Sequence, residues 1–501
     1  MFEAYFFDKR STINYRVYRV LKALQNTDFT VNRLSQEAQL SYSQAYNEFQ
    51  DIMADLQAMT DATVPIADEE AFQKLGVDVT VDQYRFHLLR DSMAFNFFDY
   101  AFKAENPDVH QFCAQNDLSI STLRRRVEGF KTYLQSKGVA LNTSTWAPEG
   151  SELRIRMVMI NFFVLAYRGV GWPFGDAHYH ETVALATQFH QAAPDAWFNQ
   201  PEHEAKQDLL ALGVQRIRLT QGHPLPLVPR LQAILQAPDL MTLPLVLTPT
   251  PPADAQMESA FFYFCRIHFL SLQGHLTRTD QWLLDHFQHR NDAVAHFADG
   301  LIAYLVTQTP PAASDERLPA HDLLRANLYR MTYSFWLFSG DFSKRLDFYD
   351  EDRTASTFGH LPELITQYFD LLEGDTVVFK PFVGLMRRLL YGIIRPDFPQ
   401  LDADHQLCIA VLVEPGTFTL RDLLAFLDGV SFVKLATAQD DADPDVIITT
   451  LTSPNLIIDY YGPEHADVIQ WQSTAAEEDY YRLYAELARR HHLKNLKQAQ
   501  Q

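Results

Sequence analysis

The chain has 501 residues, 47% hydrophobic and 21% charged, so it outgrows a single core and is too apolar to be mainly disordered. Its three cysteines, Cys113, Cys265 and Cys408, stand far apart with no CxxC, which excludes a disulfide framework and a cysteine zinc site. Net charge is −21, but residues 1–170 hold 18 Lys and Arg against 21 Asp and Glu; the rest of the chain therefore carries −18, and any polyanion contact is confined to the near-neutral first third.

The opening MFEAYFFDKRS is apolar but lacks the basic, apolar, small order of a signal peptide. The most apolar run, MVMINFFVLAY (Met157–Tyr167), is too short to span a bilayer. A cytoplasmic protein with no membrane partner is expected.

From Asn14 to Leu56 the spacing predicts helices, with Val17, Val20, Leu21 and Leu24 on one apolar face. Residues 62–78 read as irregular, with Pro65 and Gly76. A second helical group runs from Tyr84 to Ser136 and stops at Gly138. VALNTSTWAPEGSELRIR then reads as a hairpin turning at Ala147–Gly150, with Arg154 and Arg156 near its exit strand.

Residues 155 to about 285 and about 290 to 395 read as two all-helical bundles with Pro-rich joints at Leu225–Pro229, Leu247–Ala253 and Pro310-Pro311. LCIAVLV, LRDLLAFLDG, SFVKLAT and DVIITTL then alternate strand and helix signals, as in a small parallel α/β unit. A terminal helix, AAEEDYYRLYAELARRHH, follows, and the final KNLKQAQQ is expected to fray.

Within LSISTLRRRVEGF (Leu118–Phe130) the residues fit a helix-turn-helix. Phe112-Cys113 supply the apolar and small positions, Asp117 a left-handed turn residue, Leu118 the plug and Ser119 the N-cap. Arg124, Arg125, Arg126 and Lys131 then decorate the helix, with Ser119, Ser121 and Thr122 at its start. Guanidiniums there suit phosphates and guanine edges. A bare triple arginine is more often a solvated helix face; the cap, small residue and plug at the right offsets shift the balance to double-stranded DNA.

The template fits again upstream. Leu34-Ser35 take the apolar-small step, Leu40 is the plug and Ser41 the cap. Ser43, Gln44 and Asn47 are its weaker candidate contacts, beside Glu48 and Asp51, which repel phosphate. Arg16, Arg19, Lys22 and Arg33 could add backbone contacts.

With these paired motifs, GSELRIR (Gly150–Arg156) and YRGVGWPF (Tyr167–Phe174), the chain resembles the Mga/AtxA-like transcription regulators of Gram-positive bacteria, which carry PTS-regulation domains (PRDs). The likeness extends more weakly over Leu209–Leu225 and Leu323–Phe342. It implies a mainly α multidomain protein with two N-terminal helix-turn-helix modules, the second winged, two helical PRD-like bundles and a small C-terminal α/β EIIB-like domain. The expected boundaries are 1–65, 66–170, 171–285, 286–398 and 399–501. It further implies a homodimeric transcriptional activator, possible phosphotransferase-system phosphocarrier partners, no cofactor and no enzymatic activity.

PRDs are typically phosphorylated on histidine, yet Leu209–Leu219 and Leu323–Gly340 contain none. An EIIB enzyme needs a nucleophile in the loop after its first strand; that loop is Glu414-Pro415-Gly416 here, and Cys408 within the strand reads as core packing. Gly169–Gly171 is too short for a phosphate loop, DAHYH (Asp176–His180) lacks a third metal ligand, and His286 with His289 reads as a solvated face. The rival reading is a signalling scaffold with degenerate DNA modules.

Overall fold

The computed structural model describes residues 1–24, 30–61, 68–76, 78–192, 202–233, 252–271, 276–309, 321–348, 360–398, 401, 406–412, 418–430, 432–436, 444–451, 467–472 and 475–498. These fall into two compact units, Met1–Leu270 with Tyr333–Asp350, and Ser271–Thr332 with Glu351–Gln501.

The first unit opens with a 3-10 turn at Phe2–Tyr5, followed by α1 (Lys9–Leu24), α2 (Val31–Glu37), α3 (Tyr42–Thr60), α4 (Glu69–Gly76) and α5 (Val81–Arg90). Val17, Tyr18 and Leu21 of α1 pack with Leu34, Phe49, Ile52 and Leu56 in one core. Phe72 of α4 is fully buried in that core, which is why a segment read as irregular contains a helix. The burial of several such side chains, each contributing about 1.5–3 kcal/mol, outweighs the weak local signal.

Next come α6 (Met93–Lys103), α7 (Val109–Gln115), α8 (Ile120–Ser136), the short strands β1 (Val139–Leu141) and β2 (Pro148–Gly150), and α9 (Glu152–Tyr167). An aromatic core holds them. Phe130 of α8 meets Phe98 of α6 at 4.8 Å, Phe162 of α9 at 5.7 Å and Phe6 at 5.1 Å between ring centroids. The apolar N-terminal residues thus serve as filling beneath α8, with Phe2 and Phe6 almost wholly buried. α10 (Asp176–Ala192), α11 (Glu202–Thr220), α12 (Pro229–Gln232) and α13 (Pro252–Ile267) complete the helical part of this unit. Pro229 opens α12, so the first Pro-rich joint is a short coil ending at a helix start. The joint at Leu247–Ala253 lies outside the described residues up to 251, and Pro310-Pro311 lies outside them altogether.

In the second unit lie α14 (Arg278–Gln288), α15 (Ala293–Gln308), most of α16 (Asp322–Phe338), α17 (His360–Leu371) and α18 (Val383–Ile394). There Arg330 pairs with Asp280, whose side chain is fully buried. The α/β part follows: β3 (Leu407–Leu412), α19 (Phe418–Asp428), β4 (Val433–Leu435), β5 (Val446–Thr449), β6 (Asp467–Gln470) and α20 (Glu477–Gln498). The sheet order is β4-β3-β5-β6 and every pairing is parallel, with Ile409 opposite Val446 and Val446 opposite Asp467. Parallel strands need crossovers, and α19 supplies the one between β3 and β4.

Two expectations change here. Cys408 is only half-buried: Leu407 and Ile409 face the core with Leu423, Leu427 and Leu487, and the two-residue period of a strand turns Cys408 the other way. The chain end does not fray at Lys494, because its ammonium donates to the Gln406 carbonyl and to Asp445, and α20 runs on to Gln498. The loop Glu414-Pro415-Gly416 lies outside the described residues.

Candidate nucleic-acid interface

Two turns in the first unit share one construction. Between α7 and α8, Asp117 takes a left-handed φ of 51°, and the Leu118 N–H donates to the Cys113 carbonyl at 2.9 Å. Between α2 and α3, Gln39 takes φ 54°, and the Leu40 N–H donates to the Ser35 carbonyl, also at 2.9 Å. Cys113 and Ser35 are both buried where the helices converge, as small residues must be for such an approach.

The caps match too. Ser119 Oγ accepts the Thr122 N–H at 3.1 Å and lies 2.9 Å from the hydroxyls of Ser121 and Thr122. Ser41 Oγ accepts the Gln44 N–H, and Gln44 Oε1 accepts the Ser41 N–H in return, a full capping box. Gln44 is therefore partly engaged, whereas Ser43 and Asn47 are exposed along with Tyr42 and Tyr46. Replacing Ser119 with alanine should destabilise the start of α8 by about 1 kcal/mol. Hydrogen exchange at Leu123 and Arg124 amides would register it as faster opening.

α8 buries Leu123, Val127, Phe130 and Leu134, a stripe at three- and four-residue spacing. Successive residues step by about 100°, so consecutive arginines fan across the remaining surface rather than sharing one face. Arg125, with Ser121, lies opposite the buried stripe. It is exposed and makes no hydrogen bond or ion pair among the described residues. Arg124 turns toward the β1–β2 hairpin, its guanidinium 6.0 Å from the Trp146 ring centre. Arg126 turns toward α1 and α5 and lines a cavity there. Lys131 is less free than its sequence position promised: its ammonium reaches Glu128 at 3.1 Å and its side chain is 29% exposed. One turn beyond Arg125, Glu128 and Lys131 cancel each other's charge.

The hairpin differs from its sequence reading. Pro148–Gly150 forms strand β2, with Val139 opposite Gly150 and Leu141 opposite Pro148, and the turn is Asn142–Ala147 instead. Asn142 Oδ1 accepts the Ser144 and Thr145 N–H groups, and Trp146 closes the turn at φ 62°. The Trp146 ring, 7% exposed, packs against Phe97 at 5.2 Å and so anchors the wing to the module's core. Gly150, at φ +145°, is required: a Cβ there would sit 2.7 Å from the Gly138 carbonyl oxygen.

Arg154 and Arg156 do not stand on an exit strand. Both lie on α9 and point inward. Arg154 donates to the carbonyls of Lys137, Asp341 and Phe338. Arg156, fully buried, binds Glu152 at 2.8 Å, Glu258, and the His223 carbonyl at 2.9 Å. They brace the module and are not available to a ligand. The far end of α8 is held likewise, with the Tyr133 hydroxyl 2.8 Å from Ser343 Oγ and Lys137 paired to Asp341 and Asp347.

Of the remaining candidates Asp176, His180 and His289 are exposed, whereas His178 and His286 pack against neighbouring rings. Burial, with the Arg216 charge adding to it, lowers His178 to about 4, and its ring stacks among Trp172 and Phe174. Burial likewise lowers His286 to about 4; its ring lies on Trp282 at 4.7 Å, so it is not the solvated face expected. Among the described residues no group of His, Cys, Asp and Glu could hold a metal ion, and no helix is long and apolar enough to cross a membrane.

A capped second helix, a small-residue crossing and an adjoining two-stranded wing define a winged helix-turn-helix module. Residues 77–163 match the family model of the Mga helix-turn-helix domain. That match supports a DNA-binding transcription regulator with an Mga-like module. No curated protein matches the chain.

Proposed function

We propose that the chain is a sequence-specific, DNA-binding transcriptional activator of the Mga type, cytoplasmic and non-catalytic, acting as a homodimer on a symmetric site. One observation carries this reading: Arg125 stands exposed on the outer side of a capped, rigidly braced helix and makes no hydrogen bond or ion pair among the described residues. Phosphate and guanine edges are the partners such a guanidinium fits. The first helix-turn-helix would add weaker contacts through Ser43 and Asn47. Two copies of the module would read both halves of the site, which multiplies a modest single-module affinity.

The helical regions beyond α9 would serve as PRD-like bundles answering to the sugar phosphotransferase system, and the parallel sheet of β3–β6 as an EIIB-like domain without phosphoryl chemistry. The likeness at Leu209–Leu225 and Leu323–Phe342 supports the first assignment, and the parallel β-α-β order of the sheet supports the second.

Salt titration of duplex binding tests the reading. With three arginines in each of two subunits at the phosphates, affinity should fall about a thousandfold between roughly 50 and 200 mM salt, at a slope near −0.9 per phosphate contact. Weak binding that does not change with salt would instead mark a scaffold whose DNA modules no longer function.

A further inference from the structure

A cleft of about 1060 Å³ opens at the end of α9 within the first unit, walled by the turn after that helix, by α10 and α11, and by Arg345. That volume stands at the upper end of small-molecule sites, roughly 300–1,000 Å³. The motif YRGVGWPF builds it. The chain leaves α9 through the left-handed residues Arg168 (φ 44°), Gly169 (82°) and Gly171 (76°), which reverse it and lay Trp172 on α11. Gly213 of α11 permits that approach, since a Cβ there would stand 2.9 Å from the Trp172 ring. Trp172 and Tyr179, 5.3 Å apart between ring centres, supply the apolar lining together with Leu209.

The charge of the lining is positive, in a chain that is acidic overall. Arg168 and Arg345 contribute guanidiniums, and Asp176, exposed in the first turn of α10, is the only carboxylate among the described lining residues. The Phe269 ring, 3.9 Å from the Arg345 guanidinium carbon, positions that side chain, which donates to Gln207 Oε1 at 3.0 Å. Arg168 reaches Glu3 at 3.3 Å and Asp82 at 3.4 Å, longer than the roughly 2.7–2.9 Å of a tight charged pair, and its side chain stays 32% exposed. The backbone N–H groups of Gly169, Gly171 and Trp172 make no hydrogen bond among the described residues. Two guanidiniums and unspent backbone donors beside aromatic rings suit one kind of occupant: a small anion on an apolar body.

We infer that this cleft binds a small organic anion, a carboxylate or phosphate ester carried on an apolar ring. The anion takes hydrogen bonds from Arg168 and from the N–H groups of the turn, and the ring lies against Trp172 and Tyr179. Carboxylate and phosphate both match the planar fork of a guanidinium, so the two share this chemistry. Binding ties down the turn that joins α9, the last helix of the winged module, to α10. The inference rests on the cleft alone and stands whether or not α8 binds DNA.

The test is calorimetry on the full chain with indole-3-acetate, phenyl phosphate and tryptamine as probes. At least one of the two anions should bind, and the one that binds identifies the charged group. Tryptamine, which sets a cation on the same ring as indole-3-acetate, should not. Arg168→Gln should weaken the anion at least about tenfold, the usual effect of losing a hydrogen bond to a charged group. Arg168→Lys keeps the charge without the fork and should weaken it less. Tyr179 is 39% exposed, so Tyr179→Ala removes part of the apolar wall without opening the core, and it too should weaken binding. Hydrogen exchange at the Gly169, Gly171 and Trp172 amides should slow when the anion is bound. Binding by neither anion, tryptamine binding as tightly as the anions, or unchanged affinity in either Arg168→Gln or Tyr179→Ala overturns the inference. If Arg168→Gln unfolds the chain, Tyr179→Ala and the tryptamine comparison decide it.

Discussion

Arg125→Ala should weaken duplex binding by about 1–3 kcal/mol, roughly five- to a hundred-and-fifty-fold, and lower the salt slope. The effect should be the largest of the cationic positions on α8 because Arg125 alone combines an outermost position with no competing partner among the described residues. Arg124 is partly held over Trp146 at 6.0 Å, and its loss should weaken both DNA contact and wing attachment. Lys131→Ala should have a smaller effect than Arg125→Ala, since Lys131 is already paired to Glu128 and only 29% exposed. Fluorescence anisotropy of a labelled duplex at fixed salt ranks the variants. If Lys131→Ala matches or exceeds Arg125→Ala, α8 enters DNA along a different face than its geometry indicates.

What sequence alone made legible follows the range of the interaction behind each feature. Ser119, Asp117 and Leu118, and the upstream Ser41 and Leu40, are set by backbone demands within four or five residues, whereas Gln39, left-handed at φ 54°, has no side-chain signature for it. A cap, a left-handed residue and a plug leave a pattern that any reader of sequence meets. The strands β3 and β5 were legible because LCIAVL and VIIT are continuous β-branched and aliphatic runs. β6, whose Asp467 and Gln470 are exposed, carries no such signal and was missed.

The wing failed for another reason. APEG carries a strong turn composition, yet Trp146 must reach Phe97, and that long-range contact moves the turn four residues upstream. Arg154 and Arg156 misled in the same way. Expected near the wing's exit strand, they turn inward on α9, Arg154 partly and Arg156 fully buried, because their partners, Asp341 and Glu258, arrive from 187 and 102 residues away. The burial of Phe2 and Phe6 under α8 had no local signature either.

That buried network is where the largest loss of stability is expected. Glu258 is 1% exposed at its side chain and takes hydrogen bonds from Arg156, from Gln215 Nε2 at 2.9 Å and from the Leu225 N–H at 3.1 Å. Glu258→Ala leaves a fully buried guanidinium with Glu152 as its only carboxylate among the described residues, and Glu152 is shared with Arg218. Breaking a buried pair from one side in this way costs about 3–5 kcal/mol, because the remaining charge stays desolvated. Hydrogen exchange of α9 amides should then quicken by roughly a hundredfold or more. The double variant Arg156→Met with Glu258→Leu should recover much of the loss, since it removes both charges and refills the volume. If Glu258→Ala leaves α9 protection unchanged, the ion pair does not hold α9 against α13. If the double variant is as weak as the single one, the network's value lies in its hydrogen bonds to Gln215, Leu225 and His223 rather than in the pairing of charge. DNA affinity of the double variant separates bracing from recognition: neither side chain reaches the outer side of α8, so a refolded module should bind duplex as the native chain does.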